Sequence, residues 1–275
     1  MPLTAREVRK FRKAIYAYYS EHGRELPWRR TQEPYHILVS EVMLQQTQVE
    51  RVLEKYPVFV RQFPNFRALA DAPLRDVLAA WQGLGYNRRA ASLKKIGEIV
   101  AKDHAGRLRA DVDFLTGLPG IGYNTACAIL AFAFNKPAVF VETNVRTVFT
   151  HFFFSDRDEV RDGEILPLVE QTLDCEHPHT WYSALMDYGT MLKKMHGSIN
   201  AKSAHYQKQS PFKGSDRQIR GMVLKTIIAY SQMTDAQIVE QLQLPAERAR
   251  KALDALRKEG FIREIEGQYT ISGEQ

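Results

Sequence analysis

Cysteine is scarce in this chain, with only Cys127 and Cys175 among 275 residues. That leaves no disulfide framework, and a reduced, cytoplasmic protein is expected. Long hydrophobic runs are also missing. No stretch approaches the ~20 uninterrupted apolar residues of a membrane helix, and the N-terminus carries no apolar block of an export signal, so no membrane partner is expected. Acidic excess is lacking too: 38 Lys and Arg against 32 Asp and Glu give a formal charge of +6. A polyanion partner fits that balance without being required by it. What the chain does have is apolar content, 44% of residues, enough for one large core or two smaller ones.

The stretch on which the rest turns is 115–143. It contains a glycine-punctuated hairpin, Leu118-Pro-Gly-Ile-Gly122, an apolar helix rich in small residues from Thr125 to Phe134, and an acid, Glu142, set in Val141-Glu-Thr-Asn-Val145. Gly120 and Gly122 let the backbone turn tightly and approach a ligand closely, and the helix start that follows offers unpaired N–H groups to an anion such as phosphate. A plain helix–turn–helix corner reads the same way. Glu142, just before a helix start with Thr143 as its cap, would be held ionised by amide dipoles. Earlier in the chain a helix is expected over 34–48, opened by Pro34. On it Glu41, Gln45 and Gln48 fall at i, i+4 and i+7 on one face, while Ile37, Leu38, Val42 and Leu44 cover the rest. A carboxyl in such apolar company has a raised pKa. Glu41 and Glu142 would then be pushed in opposite directions, as in an acid/base pair; a hydrogen-bonded core glutamate and a simple capping acid are the plainer alternatives.

These motifs resemble the helix-hairpin-helix (HhH-GPD) DNA glycosylases, and Leu26-Pro-Trp-Arg29, Ser40-Glu-Val-Met-Leu-Gln-Gln-Thr-Gln-Val49 and Gly83-Leu-Gly-Tyr86 are similar to the MutY-type, adenine-specific branch. Together the matches cover about 20–210, and their order makes them specific where each alone is weak. The resemblance implies an all-α, two-lobed helix-hairpin-helix DNA glycosylase fold over 1–214. It implies catalysis by Glu41, which would protonate the adenine ring, and by Glu142, which would support the cationic sugar and the attacking water. The family carries aspartate at the second position, one methylene shorter. Substrate and DNA contacts implied are Arg29 beside the base pocket, Gln45 and Gln48 near the gap left by the extruded base, Leu84, Tyr86 and Arg88 in a wedge loop, and Gly120, Gly122, Tyr123, Asn124 and Thr125 at the hairpin. The family often has a second tyrosine where Asn87 stands. Trp28, taken alone, reads as a core anchor.

Two departures from the family bear on chemistry. Bifunctional relatives resembling endonuclease III carry a Schiff-base lysine where this chain has Asn124, which cannot form an imine; base excision without efficient lyase activity follows. MutY-type enzymes also close this domain with four cysteines around an iron–sulfur cluster. Here Lys193, Asn200, Ser203 and Gln209 fall on those positions, and none can serve as a thiolate. The expected metal and cofactor content is therefore none, apart from the monovalent cation that hairpin carbonyls hold in relatives. His196 and His205 read as surface histidines. Lys193, Lys194, Lys202, Lys208 and Lys213 offer phosphate contacts or a solvated basic face.

After a polar linker over 211–216, three helices (Ile219 to Tyr230, Thr234 to Gln241, Pro245 to Glu259) and a hairpin turning at Glu266-Gly267 resemble a winged helix-turn-helix-like domain over 215–275. Arg248, Arg250, Lys251 and Arg257 on its third helix are candidate duplex contacts. This tail is too short for the domain with which MutY-type enzymes recognise 8-oxoguanine. The whole reads as a monomeric, nucleoid-associated, monofunctional DNA glycosylase of base excision repair, acting on double-stranded DNA with a mispaired base, adenine first. Thymine, uracil or another damaged base is the alternative within the class. A non-catalytic DNA-damage-binding protein is the alternative outside it.

Overall fold

The computed structural model describes residues 2–157, 159–196 and 212–273. In chain order, α1 (Ala5–His22), a 3-10 turn at Pro27–Arg29, α2 (Pro34–Leu44), α3 (Val49–Gln62), α4 (Phe66–Asp71), α5 (Leu74–Trp81) and α6 (Arg88–Asp103) make the first half. Next come α7 (Val112–Thr116), α8 (Tyr123–Phe134), α9 (Thr143–Phe153), α10 (Asp162–Thr172) and α11 (Pro178–His196). The chain closes with α12 (Asp216–Tyr230), α13 (Asp235–Leu242), α14 (Ala246–Lys258) and a hairpin of β1 (Ile262–Ile265) and β2 (Gln268–Ile271). Among the described residues the expected all-α character, relieved by a terminal hairpin, is what forms.

Two compact units result, one of Met1–Val42 with Leu108–Lys208, the other of Met43–Arg107 with Gln209–Gln275. In the first, α1 starts with a capping box in which Thr4 and Glu7 satisfy each other's backbone N–H groups. Its Phe11 then enters an aromatic cluster, with ring centroids 5.2 Å from Phe149, 5.0 Å from Phe152 and 5.8 Å from Trp181. Edge-on and tilted pairs of this kind add about 0.5–1.5 kcal/mol each beyond burial. Helix α8 is apolar on all sides, and Ala126 through Ala133 are buried without a break. It ends at Asn135, whose left-handed φ of 49° closes the last turn. Helices α9 and α11 approach so closely that a Cβ on Gly189 would lie 2.6 Å from the carbonyl oxygen of Asn144. Only glycine permits that approach.

The second unit holds α3 to α6 and the terminal module. The module has the expected form: Thr234 caps α13, and Glu266 and Gly267 both take positive φ in a two-residue turn between Ile265 and Gln268. Its backbone is tied to α5 by Arg75, whose Nε and Nη2 donate to the Ile228 carbonyl at 3.0 and 2.6 Å. The 215–275 segment thus shares a compact unit with 43–107, a grouping that runs across the division expected near residue 214.

One helix is shorter than its periodicity suggests. α2 stops at Leu44, Gln46 takes φ 53°, and α3 begins at Val49 with Gln48 as its N-cap. The cause is Arg89, whose guanidinium collects the carbonyls of Met43 and Gln45 at 2.8 and 2.6 Å and the Thr47 hydroxyl at 2.9 Å. These carbonyls would otherwise need the next turn of helix. Glu41, Gln45 and Gln48 therefore do not form one helical stripe, contrary to the reading from spacing.

Candidate active site

The first unit gathers Glu41, Glu142 and the groups that set their charge. Glu142 is itself the N-cap of α9. Its Oε1 accepts from the Asn144 N–H at 2.6 Å and the Val145 N–H at 2.9 Å, so Thr143, which is exposed, is not the cap. Its other oxygen, Oε2, faces the side-chain amide of Asn144 at 3.4 Å. Asn144 Oδ1 in turn accepts from Lys193 Nζ at 2.7 Å. One turn further along α9, Arg146 forms a two-pronged pair with Asp162 at 2.6 and 2.7 Å.

Glu41, half-buried on α2, has fewer compensations. Desolvation, followed by the negative charge of Glu142, raises its pKa to about 8, and only Arg29 opposes the rise. Glu142 is also raised, because burial outweighs the amides of Val145 and Asn144 and the cations of Lys193 and Arg146. The expectation that cap dipoles alone would hold Glu142 below its ordinary value is corrected here. Both carboxyls are pushed the same way, but Glu142 has two amides and two cations favouring its anion and Glu41 has one cation.

Arg29 acts on Glu41 from a fixed position. Its Nη1 donates to Asp187 Oδ2 and Arg24 O at 2.8 and 3.1 Å, its Nη2 to Asp187 Oδ1 and Ser183 O at 2.9 and 3.1 Å. The guanidinium fork is thereby committed within the protein, which removes it as a free donor to a base. Asp187 side-chain exposure is 1% and that of Arg29 is 10%. Burial alone would raise the Asp187 pKa, but hydrogen bonds and charge from Arg29 and Arg24 bring it below the usual range. Asp187, Asn144 and Lys193, with Arg24, Arg146 and Asp162, are members of this network that the sequence reading does not assign to it. Asp187 stands as a lone acid on an apolar helix, a pattern that signals a buried partner without naming it.

At the hairpin, Gly120 has φ 79° and needs glycine. Gly122 does not: it is extended, caps α8, and a Cβ there would meet nothing within 4 Å. Tyr123 is 57% exposed beside it, while Asn124 donates to the Val141 carbonyl at 2.8 Å. Thr125 is half-buried.

In the second unit, Gln48 is exposed and Gln45 half-buried. The expected wedge loop divides by burial. Leu84 is 3% exposed, so it packs inward and is corrected as a surface contact, whereas Tyr86 is 41% exposed with φ 48°. Arg88 is exposed and pairs with Glu259 at 3.0 Å. On α14, Arg248 and Lys251 pair with Asp216 at 3.2 and 2.8 Å, Arg250 approaches Asp235 at 3.8 Å, and Arg257 pairs with Glu264 at 2.9 Å. These exposed ion pairs are weak and can exchange for phosphate.

Among the described residues no group of three or more His, Cys, Asp or Glu could hold a metal ion. The residues at the family's cluster positions do not fit an iron–sulfur centre. Lys193 offers an ammonium already bound to Asn144, and Asn200, Ser203 and Gln209, which lie outside the described residues, carry no thiolate. Lys202, Lys208 and His205 lie outside them as well. Among the described residues no helix is long and apolar enough to cross a membrane.

Residues 39–165 match the HhH-GPD superfamily base excision DNA repair protein family. The chain is 32% identical to an adenine DNA glycosylase of Mycobacterium tuberculosis, over 94% of this chain and 93% of that one. It is 34% identical to an adenine DNA glycosylase of Mycolicibacterium smegmatis, over 94% and 95%. Its fold overlays the solved structure of a thermostable thymine-DNA glycosylase with a TM-score of 0.61 at 25% identity, covering 68% of this chain and 87% of the other. With a matching family model and more than 90% of each chain covered at 32–34% identity, the chain belongs to the HhH-GPD superfamily of base excision DNA repair proteins, in the adenine DNA glycosylase family.

Proposed function

We propose that this protein hydrolyses the N-glycosidic bond of adenine in mispaired double-stranded DNA, acting as a monomer and without efficient strand cleavage. The observation that carries the reading is the unequal compensation of Glu41 and Glu142: two backbone amides and two cations favour the Glu142 anion, whereas one cation favours that of Glu41. With the base extruded from the stack, Glu41 donates its proton to a purine ring nitrogen. The bond from the sugar C1′ to the base then breaks, and its electron pair leaves with the now neutral base. The oxocarbenium ion left behind is stabilised by the Glu142 carboxylate, which also positions the water that adds to C1′ and accepts the proton that this water loses. Asn124 supports the absence of an efficient lyase step, because an amide has no amine with which to form an imine.

DNA contacts in this reading fall to the exposed Tyr86, Arg88, Gln48 and Tyr123, with the first turn of α8 meeting a phosphate. The terminal module, from about residue 215, adds phosphate contacts from α14.

The test is single-turnover base release from duplexes carrying A, T, U or hypoxanthine opposite G, 8-oxoguanine, C or T, using wild type, Glu41→Gln and Glu142→Gln. Adenine release that falls by ~10²–10⁴-fold in either variant supports the acid and anion roles. Thymine release would keep the enzyme class and move the substrate to the second reading, which the likeness to the thymine-DNA glycosylase favours. Tight binding with no release from any duplex would favour a damage-binding protein.

A further inference from the structure

The catalytic carboxylate is wired to a lysine on another helix. Three residues on one face of α11 meet Asn144: the Met186 sulfur lies 3.7 Å from its Nδ2, Gly189 lets its backbone come into contact, and Lys193 Nζ donates to its Oδ1 at 2.7 Å. An ammonium can only donate. It therefore fixes which way the Asn144 amide faces, with oxygen toward Lys193 and Nδ2 toward Glu142 Oε2. A flipped amide would put a carbonyl oxygen against the carboxylate. Half-buried, Lys193 also brings a positive charge that favours the Glu142 anion.

We propose that Lys193 is a positioning residue for base excision, which holds the Asn144 amide in the orientation that supports Glu142 and places a positive charge beside that carboxyl. The proposal rests on the glycosylase reading above and extends it to a residue that touches neither base nor sugar. It also gives a use to the side chain at the position where the resembling enzymes have a first cluster cysteine. Here that position contributes to the site by hydrogen bond and charge, with no metal involved.

The charged groups that act on Glu142 are few. Glu41 faces it from α2, Arg146 lies on its own helix and is held by Asp162 of α10, and Lys193 comes from α11. Among the described residues Lys193 has an amide oxygen as its hydrogen-bond partner, whereas Arg146 is paired with the Asp162 carboxylate. Its charge is thus the less neutralised.

The experiment compares wild type with Lys193→Gln, Lys193→Arg and Lys193→Met in single-turnover base release across pH 4.5 to 9, on the duplex that wild type cleaves fastest. Lys193→Gln keeps a donor and loses the charge, so the acidic limb of the profile, set by Glu142, moves up by about one unit. Lys193→Met also frees the Asn144 amide and loses on the order of 10²-fold in rate at neutral pH. Lys193→Arg keeps both functions and restores the wild-type limb. A structural role alone would change melting temperature and leave that limb in place. An unmoved limb in Lys193→Gln, or an arginine variant no better than methionine, overturns the proposal. Wild type inactive on every duplex overturns it together with the glycosylase reading, whereas active wild type with unaffected lysine variants overturns the proposal alone.

Discussion

The side-chain amide of Asn124 donates to the backbone carbonyl of Val141 over 2.8 Å, tying the first turn of α8 to the residue immediately before Glu142. The hairpin and Glu142 are thereby one mechanical piece. Asn124→Ala should cost about 1 kcal/mol of stability, the ordinary net worth of a hydrogen bond. Its effect on base release should be larger than that stability loss implies, because Glu142 loses a fixed approach; a displacement of about 1 Å costs ~10²-fold. Urea melts and single-turnover rates on the same preparation check both numbers, and a rate loss no greater than the stability loss predicts would refute the link.

Base release should fall as pH rises through about 8, where Glu41 gives up its proton. Between the acidic limb of Glu142 and this alkaline limb the profile is flat. In Glu41→Gln the alkaline limb disappears along with most of the rate. An alkaline limb that persists in the residual activity of Glu41→Gln would mean that another group sets it.

Glu41 also makes folding depend on pH, with a definite sign. Its pKa is raised in the folded protein from 4.5 to about 8, so between those values the folded state binds a proton that the unfolded state has released. Stability therefore falls as pH rises across this window, and the loss is complete above it. Glu41→Gln removes the effect. The variant should match wild type near pH 4 and exceed it in melting temperature at pH 9, a gain of stability at the expense of activity. Melting curves at the two pH values decide the matter: equal shifts at both would show that burial of the carboxyl is not the cause.

Asp187 neutralises two guanidinium groups while almost wholly buried. Asp187→Asn leaves Arg29 as a buried cation without its counter-charge, a change that typically costs about 3–5 kcal/mol. The freed charge also acts more strongly on Glu41 and lowers its pKa, so the alkaline limb of base release should move down. Denaturant midpoints and the pH profile test the two consequences separately.

The fold was largely legible in the sequence where one segment decides its own structure. The all-round apolar run of α8, the Thr234 cap and the Glu266-Gly267 turn are local signals, and each element forms where it was read. The reading failed where a distant residue decides. Nothing in the local sequence reports that Arg89 will take the carbonyls of Met43 and Gln45, so the spacing reads as a helix through to 48. Likewise the periodicity around Leu84 cannot say whether the side chain turns in or out. The two glutamates were found from motif and apolar context. Their partners were not, because Lys193 and Asn144 lie in sequence far apart and meet only through the glycine-enabled contact of α9 and α11.

Arg89 has one further consequence. Besides the carbonyls of Met43 and Gln45, which its Nη1 binds, its Nη2 takes those of Leu84 and Gly85 at 3.2 and 3.1 Å, and its guanidinium lies over the rings of Trp81 and Tyr86 at 5.3 and 5.6 Å. The loops at 45–48 and 83–86 hang on one side chain, so neither can open alone. Their amides should exchange with solvent at a common rate, as a single cooperative unit. In Arg89→Met the two rates should separate. A push on Tyr86 from outside would then no longer be felt at Gln48.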